Sequence, residues 1–318
     1  MAKADPESIE LGKTGIRIPP LGIGAWSWGD RMFWGYGKDY GEGDIQEAFT
    51  ACMNAGVNFF DTAEVYGLGQ SELFLGRMLK ADGRPAVIAT KYFPFPYRLS
   101  AGRIRRALRG SLERLQRESI DLYQIHQPFS LIPDSTLMRT LAAAVREGRI
   151  RAAGVSNYDP ARTAKAADRL GERGVPLASN QVPFSLLDRS YERNGLLALC
   201  AQRGISLIAY SPMAMGMLSG RYTAENPPPG FRANRYPKEY LARLGPLLGL
   251  MREIGGGHGG RTPVQVALNW VIAKGAVPIP GVKNKRQAED VLATLEWRLT
   301  RDETAALDSA SDKVGGRG

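Results

Sequence analysis

The chain alternates between short apolar runs and longer amphipathic stretches from one end to the other. Eight runs stand out, at 21–26, 57–63, 86–92, 120–126, 150–157, 177–184, 206–213 and 277–282. Each is about the length of a strand and often rich in Val, Ile and aromatics, the composition of parallel strands buried on both faces. Between them lie helical patterns with recognisable ends. The stretch 44–55 opens on Asp44 and stops at Gly56, while 100–117 and 134–147 open on Ser100 and Asp134, residue types that cap helices. The stretch 190–203 ends before Gly204, and 262–274 has Pro263 at its first helical position and Gly275 after its end. A last helix, 285–295, follows the eighth run.

Eight strands each followed by a helix predict an α/β fold of the closed (β/α)8, or TIM barrel, kind, because right-handed crossovers wrap the helices outside the sheet. The segment 9–20, centred on Gly12-Lys13-Thr14-Gly15, predicts an N-terminal β-hairpin plugging the barrel floor. Two stretches break the rhythm. Residues 31–43 form a Gly- and Tyr-rich loop after the first strand. Residues 214–260, with Pro227-Pro228-Pro229 and Gly255-Gly256-Gly257, read as a long insertion after the seventh. Both fall where barrel enzymes place binding loops. No domain boundary interrupts the pattern, so 1–318 reads as a single domain.

Composition refines this picture in three places. A chain of 318 residues with 43% hydrophobic residues buries an ample core, so it needs no metal or disulfide staple. Cys52 and Cys200 form no ligand or redox motif and read as small core residues in a reducing compartment. The net charge of +10 suits an anionic partner. Its basic residues, however, are spread among acidic ones, with no Lys/Arg stripe interleaved with aromatics, so nucleic acid is not expected and a phosphorylated cofactor suffices. The opening residues, 1–8, mix both charge signs and look like neither a signal nor a transit peptide. No apolar run approaches the ~20 residues of a membrane span. The expectation is a soluble intracellular protein with no membrane partner.

Barrel active sites form at the C-terminal ends of the strands. The second run ends in Phe60-Asp61-Thr62-Ala63, the third in Thr90-Lys91-Tyr92 and the fourth in Gln124-Ile125-His126. An Asp, a Lys and a His thus break three neighbouring apolar runs at one rim, where a charge is costly unless paired or used. A structural Asp61–Lys91 ion pair with a packed histidine is the plainer alternative. Three such residues at one rim argue against it, as does the fact that the chain has only two histidines. The other, His258, lies in a Gly-rich stretch and reads as incidental. Clustered metal ligands are absent from the sequence, so no metal is expected.

Carbonyl reduction needs a hydride on carbon and a proton on oxygen. Tyr66, five residues past Asp61, suits the proton donor. A free tyrosine titrates near 10, and an adjacent lysine ammonium is expected to lower that value, with Asp61 holding the lysine. His126 then orients the substrate carbonyl.

The segments Phe60-Asp61-Thr62-Ala63-Glu64-Val65-Tyr66-Gly67, Thr90-Lys91, Ile125-His126, Gly154-Val155-Ser156-Asn157 and Tyr210-Ser211-Pro212 resemble, in order and spacing, the successive motifs of the aldo-keto reductase superfamily. The segment Gly24-Ala25-Trp26-Ser27-Trp28-Gly29-Asp30 is similar to its plant and cyanobacterial branch, related to potassium-channel β subunits. The resemblance implies an NADPH-dependent (NADP+-forming) reductase of aldehydes and ketones, with catalytic residues Asp61, Tyr66, Lys91 and His126. It implies that Ser156, Asn157 and Gln181 bond the nicotinamide carboxamide and that Tyr210 stacks on the ring. Ser211, Met213, Gly216, Leu218, Ser219 and Arg221 are similar to the family's pyrophosphate loop, where glycines let backbone amides approach phosphate. Gly281 and Lys283 precede a helix N-terminus suited to phosphate, with Lys283 on the 2′-phosphate. Gln287 and Asp290 match adenosine-contacting positions, whereas Val291 replaces an asparagine frequent in the family.

Substrate-facing candidates are Trp26, Trp28, Tyr92, Phe93 and Phe129, a set that favours aromatic or apolar aldehydes. A plant-like source makes the plastid stroma an option beside the cytoplasm, and the expected state is a monomer or weak oligomer. Other nicotinamide folds fit poorly. Gly22-Ile23-Gly24 lacks the third glycine and the following helix of a Rossmann fingerprint, and no tyrosine has lysine four positions on. The alternative from another class is an NADPH-holding regulatory subunit with little turnover.

Overall fold

The computed structural model describes residues 7–315, so the first six residues of the mixed-charge N-terminus and the last three of the predicted domain lie outside it. Strands β1 (Ile9–Glu10) and β2 (Arg17–Ile18) pair antiparallel as the predicted hairpin. Eight further strands follow: β3 (Ile23–Gly24), β4 (Phe59–Asp61), β5 (Val87–Tyr92), β6 (Ile120–Ile125), β7 (Ile150–Ser156), β8 (Leu177–Pro183), β9 (Ser206–Tyr210) and β10 (Val277–Pro278). They pair parallel in chain order. Gly22 and Gly24 donate their N–H groups to Pro278 and Pro280 carbonyls at 3.0 and 2.9 Å, so the first strand also bonds to the last and the sheet closes.

Alternate residues of each strand face the barrel axis, and the floor of that interior is apolar. Phe59, Ala89, Leu122, Ala152, Ile208 and Val277 form one buried cluster with Leu11, Ile16 and Ile18 of the hairpin, which therefore plugs the floor. Gly12 N–H also donates to Ser206 Oγ at 2.8 Å, tying plug to barrel. The opposite strand faces pack against the helices in a second, larger core.

The helices are α1 (Glu42–Asn54), α2 (Gln70–Asp82), α3 (Ala101–Leu115), α4 (Asp134–Arg146), α5 (Pro160–Gly171), α6 (Ser190–Arg193), α7 (Leu196–Arg203), α8 (Phe231–Arg235), α9 (Lys238–Gly257), α10 (Pro263–Ala273), α11 (Lys285–Leu292) and α12 (Arg301–Val314). Several expected caps shift. Asp44 lies inside α1 and accepts from Gly41 N–H at 2.9 Å, and Asp134 is the first helical residue of α4, bound instead by Arg162. The stretch 190–203 is two helices, because Gly195 turns left-handed between them.

The stretch 214–260, read as a long insertion after the seventh strand, does follow β9 and is largely helical. Helix α9 absorbs Pro246, and Gly255-Gly256-Gly257 forms its last turn. A Cβ on Gly255 would stand 2.0 Å from the Arg261 carbonyl oxygen, so close chain return requires that glycine. His258 is correspondingly structural: Nε2 lies 2.8 Å from Glu303 and its ring 4.5 Å from Trp297, fastening α9 to α12. Among the described residues no helix is long and apolar enough to cross a membrane, and no group of three potential metal ligands occurs.

Candidate active site

Asp61, Lys91 and the Gln124–His126 pair occupy inward positions at the tops of β4, β5 and β6. Successive residues of a strand face opposite ways, so these positions share one face while Thr62, Thr90 and Tyr92 turn outward. Lys91 Nζ, with no solvent exposure, donates to Asp61 Oδ1 at 2.5 Å and to the Thr62 carbonyl at 2.7 Å. It stands 3.4 Å from Tyr66 Oη. Asp61 Oδ2 accepts from Gln181 Nε2 at 2.8 Å and from Gln124 Nε2 at 3.4 Å. The Tyr66 and His126 rings meet edge to face at 5.6 Å. The four expected residues are therefore one constellation.

Their electrostatics depart from expectation in one respect. Burial, with the Asp61 carboxylate, pushes the Tyr66 phenol well above its ordinary value rather than below it. The reason is that Lys91 spends its shortest bonds on Asp61 and the Thr62 carbonyl, leaving desolvation to dominate at the phenol. Burial likewise raises Asp61 despite Lys91, and lowers Lys91 despite Asp61. Burial and then the Lys91 charge hold His126 well below the ordinary imidazole range, so the ring is neutral near pH 7. His126 Nδ1 is a buried polar atom without a partner among the described residues.

Support comes from layers that the sequence pattern does not single out. Ser179 Oγ donates to Gln124 Oε1 at 3.2 Å, and Gly154 makes room for both. A Cβ at Gly154 would lie 2.4 Å from Ser179 Oγ and 2.9 Å from Gln124 Cγ. Gln124 sits two residues before His126, and that same-face spacing is the available sequence signal. Glu64 receives the Phe93 N–H at 2.7 Å and Arg98 at 2.5 Å, joining the loop that carries Tyr66 to the one that carries Phe93.

Of the substrate-facing candidates, Trp26, Phe93 and Phe129 reach the rim. Trp26 stacks on Tyr66 at 5.9 Å; Phe93 touches His126 at 5.4 Å and Phe129 at 5.8 Å. Trp28 and Tyr92 do not. Both are 0% exposed. Trp28 donates Nε1 to the Val282 carbonyl at 2.9 Å and packs on Phe60. Tyr92 follows inward-facing Lys91 and so points into the helix layer beneath Arg98.

The residues expected to hold a cofactor line the other half of the rim. Ser156 Oγ donates to the Gln181 carbonyl at 2.7 Å, Asn157 Nδ2 donates to Ser156 Oγ at 3.0 Å, and Tyr210 Oη donates to Asn157 Oδ1 at 3.0 Å. Beyond Tyr210 the chain turns through left-handed Ser211, Ala214, Met215 and Gly216, a backbone form that makes concave sets of amides suited to phosphate oxygens. Met213 is half-buried, and Ser219 Oγ donates to the Gly216 carbonyl at 2.6 Å, holding the turn. Leu218 is fully buried and packs in the core under this turn. Arg221 and Arg232 lie over the Tyr222 ring at 5.6 and 5.2 Å; Arg232 has no motif to announce it.

Gly281 is exposed at the β3–β10 seam. Lys283 is half-buried at the mouth of α11, with its N–H donating to Gln287 Oε1 at 2.9 Å. Asp290 Oδ1 accepts from Thr262 and Gln265, each at 2.8 Å, and Val291 is core. A polar amide cluster, a left-handed backbone turn and a cationic end thus follow one another, an order that fits a nicotinamide dinucleotide.

Comparisons with known proteins place the chain in a family. The family model described as "Aldo/keto reductase family" matches residues 20–312. The chain is 40% identical to the chloroplastic pyridoxal reductase of Arabidopsis thaliana, covering 96% of this chain and 86% of that one. It is also 40% identical to an uncharacterized oxidoreductase of Mycobacterium tuberculosis, over 93% and 90% of the two chains. The solved glycerol dehydrogenase of Gluconobacter oxydans superposes with a TM-score of 0.85 at 26% identity, covering 98% of this chain and 97% of that one.

Proposed function

Because the chain belongs to the aldo/keto reductase family and its fold is that family's barrel, we propose that it reduces aldehydes, and some ketones, to alcohols with NADPH. The observation that carries this is the buried set in which Lys91 joins Asp61 at 2.5 Å and faces Tyr66 at 3.4 Å, with His126 against the same phenol.

NADPH, when bound, supplies the hydride. Neutral His126 donates a ring N–H to the substrate carbonyl oxygen and fixes its direction, as a preorganised donor in a water-poor site does. Tyr66, kept protonated by burial, gives its proton to that oxygen as negative charge develops there. The Lys91 ammonium stabilises the phenolate that remains, and Asp61 holds Lys91 in place. Solvent then returns a proton to Tyr66. Ser156, Asn157 and Gln181 would hold the carboxamide and Tyr210 the nicotinamide face. Residues of the turn around Gly216 would meet the pyrophosphate, and Lys283 the 2′-phosphate. Trp26, Phe93 and Phe129 favour an aromatic or apolar aldehyde, and the likeness to a pyridoxal reductase makes pyridoxal the first substrate to try.

The test is NADPH consumption with a panel of aldehydes, for the native chain and Tyr66→Phe. A loss of about 10²–10⁴-fold in the variant, with NADPH binding retained, supports Tyr66 as the acid. Cofactor binding without turnover in either chain would replace this reading by that of a cofactor-holding regulatory subunit.

A further inference from the structure

Lys283, expected to meet a phosphate, already has a partner, and it is not a carboxylate. Its Nζ donates to the Trp34 carbonyl at 2.8 Å and lies 5.1 Å from the Trp34 ring and 4.7 Å from the Tyr40 ring. The two residues are 249 positions apart, brought together because β3 and β10 adjoin at the barrel seam. No ion pair reaches Lys283 among the described residues; the charge of Arg232 opposes its ammonium, and the Asp39 and Asp30 carboxylates favour it more weakly. The Trp34 Nε1 atom is itself buried and unpartnered, a donor left unused.

Trp34 is also tied to the other end of the site. Its ring meets Trp26 edge-on at 5.4 Å, and Trp26 stacks on Tyr66 at 5.9 Å. An unbroken run of contacts leads from Lys283 through Trp34 and Trp26 to the expected proton donor. Left-handed Gly35 and Gly37 follow Trp34 directly, backbone positions that side chains other than glycine rarely adopt.

Building on the reading of Lys283 above, we propose that Trp34 is a positioning residue that holds Lys283 in the ligand-free protein, is released when Lys283 takes a phosphate monoester, and so links phosphate recognition to the aromatic wall beside Tyr66. A carbonyl oxygen and two ring faces are weaker partners for an ammonium than a phosphate dianion, so the exchange favours the phosphorylated ligand. The unphosphorylated analogue offers Nζ only a neutral hydroxyl, too weak a partner to displace the Trp34 contact. Holding Lys283 therefore costs the phosphorylated ligand alone some affinity, and the release of Trp34 carries the binding event to the aromatic wall.

The test uses adenosine 2′-monophosphate and adenosine as probes, read by calorimetry and tryptophan fluorescence on the full chain. The native protein should show a saturable fluorescence change with the phosphorylated probe and none with adenosine. Trp34→Phe should bind the probe but lose most of that change. Trp34→Ala, relieved of the ring contacts, should bind the phosphorylated probe about two- to fivefold tighter with adenosine unaffected. A purely structural tryptophan would move both probes alike. If Lys283→Met binds the phosphorylated probe as well as the native chain does, the assignment of Lys283 itself fails. If Lys283→Met loses binding while the Trp34 variants match the native chain in affinity and fluorescence, Lys283 stands and the role of Trp34 is overturned.

Discussion

Replacing Lys91 by Met should be far more damaging than replacing Lys91 and Asp61 together. At 2.5 Å and an effective dielectric near 20, the two charges attract by about 6–7 kcal/mol, but each gives up several kcal/mol of hydration to be buried. The pair as a whole therefore contributes little net stability. Removing Lys91 alone leaves Asp61 buried with only Gln181 at 2.8 Å and Gln124 at 3.4 Å as side-chain donors, which should cost about 3–5 kcal/mol. Lys91→Met with Asp61→Asn removes both charges and should recover most of that loss. The sign of the pH dependence follows. Without Lys91 the native-state Asp61, already raised by burial, rises further above its unfolded value of about 3.9. The native state then holds the proton more tightly, so stability persists below about pH 4 and is lost as pH rises through the native value. Urea unfolding followed by circular dichroism at pH 5 and pH 8 measures both effects. Equal cost of Lys91→Met at the two pH values, or a double variant as unstable as the sum of the singles, would refute the buried-charge account.

Three other outcomes follow from the same geometry. The reductase rate should show no break near pH 7, because burial and the Lys91 charge keep His126 neutral there and burial keeps Tyr66 protonated; a break near pH 7 in kcat/KM would contradict this. Gly154→Ala should destabilise by about 1–3 kcal/mol and lower kcat, since its Cβ would meet Ser179 Oγ at 2.4 Å and displace the Gln124 support of Asp61, which unfolding and steady-state assays together resolve. Trp28→Phe should lower stability by about 1–3 kcal/mol for its lost bond to the Val282 carbonyl yet leave aldehyde KM unchanged, whereas Trp26→Ala should raise KM; the reverse pattern in the kinetics would return Trp28 to the pocket.

The sequence by itself determined the barrel, the plugging hairpin and the meeting of Asp61, Lys91 and His126. Those features depend on local periodicity and on one global rule, that strands of a parallel barrel end at a common rim, so position along each apolar run was enough. What only the tertiary structure decided depends on neighbours distant in sequence or on depth of burial. Trp28 and Tyr92 share the aromatic character of Trp26 and Phe93, but strand alternation and the Val282 carbonyl place them in the core. Proline and glycine clusters in 214–260 punctuate a sequence without revealing that α9 runs through Pro246, because packing against α10 and α12 offsets the poor helix propensity. The upward shift of Tyr66 was hidden for the same reason, since proximity to a lysine is readable from motifs while desolvation is a property of everything packed around the phenol. The contact between Lys283 and Trp34 exists only because closing the sheet brings the first and last strands side by side.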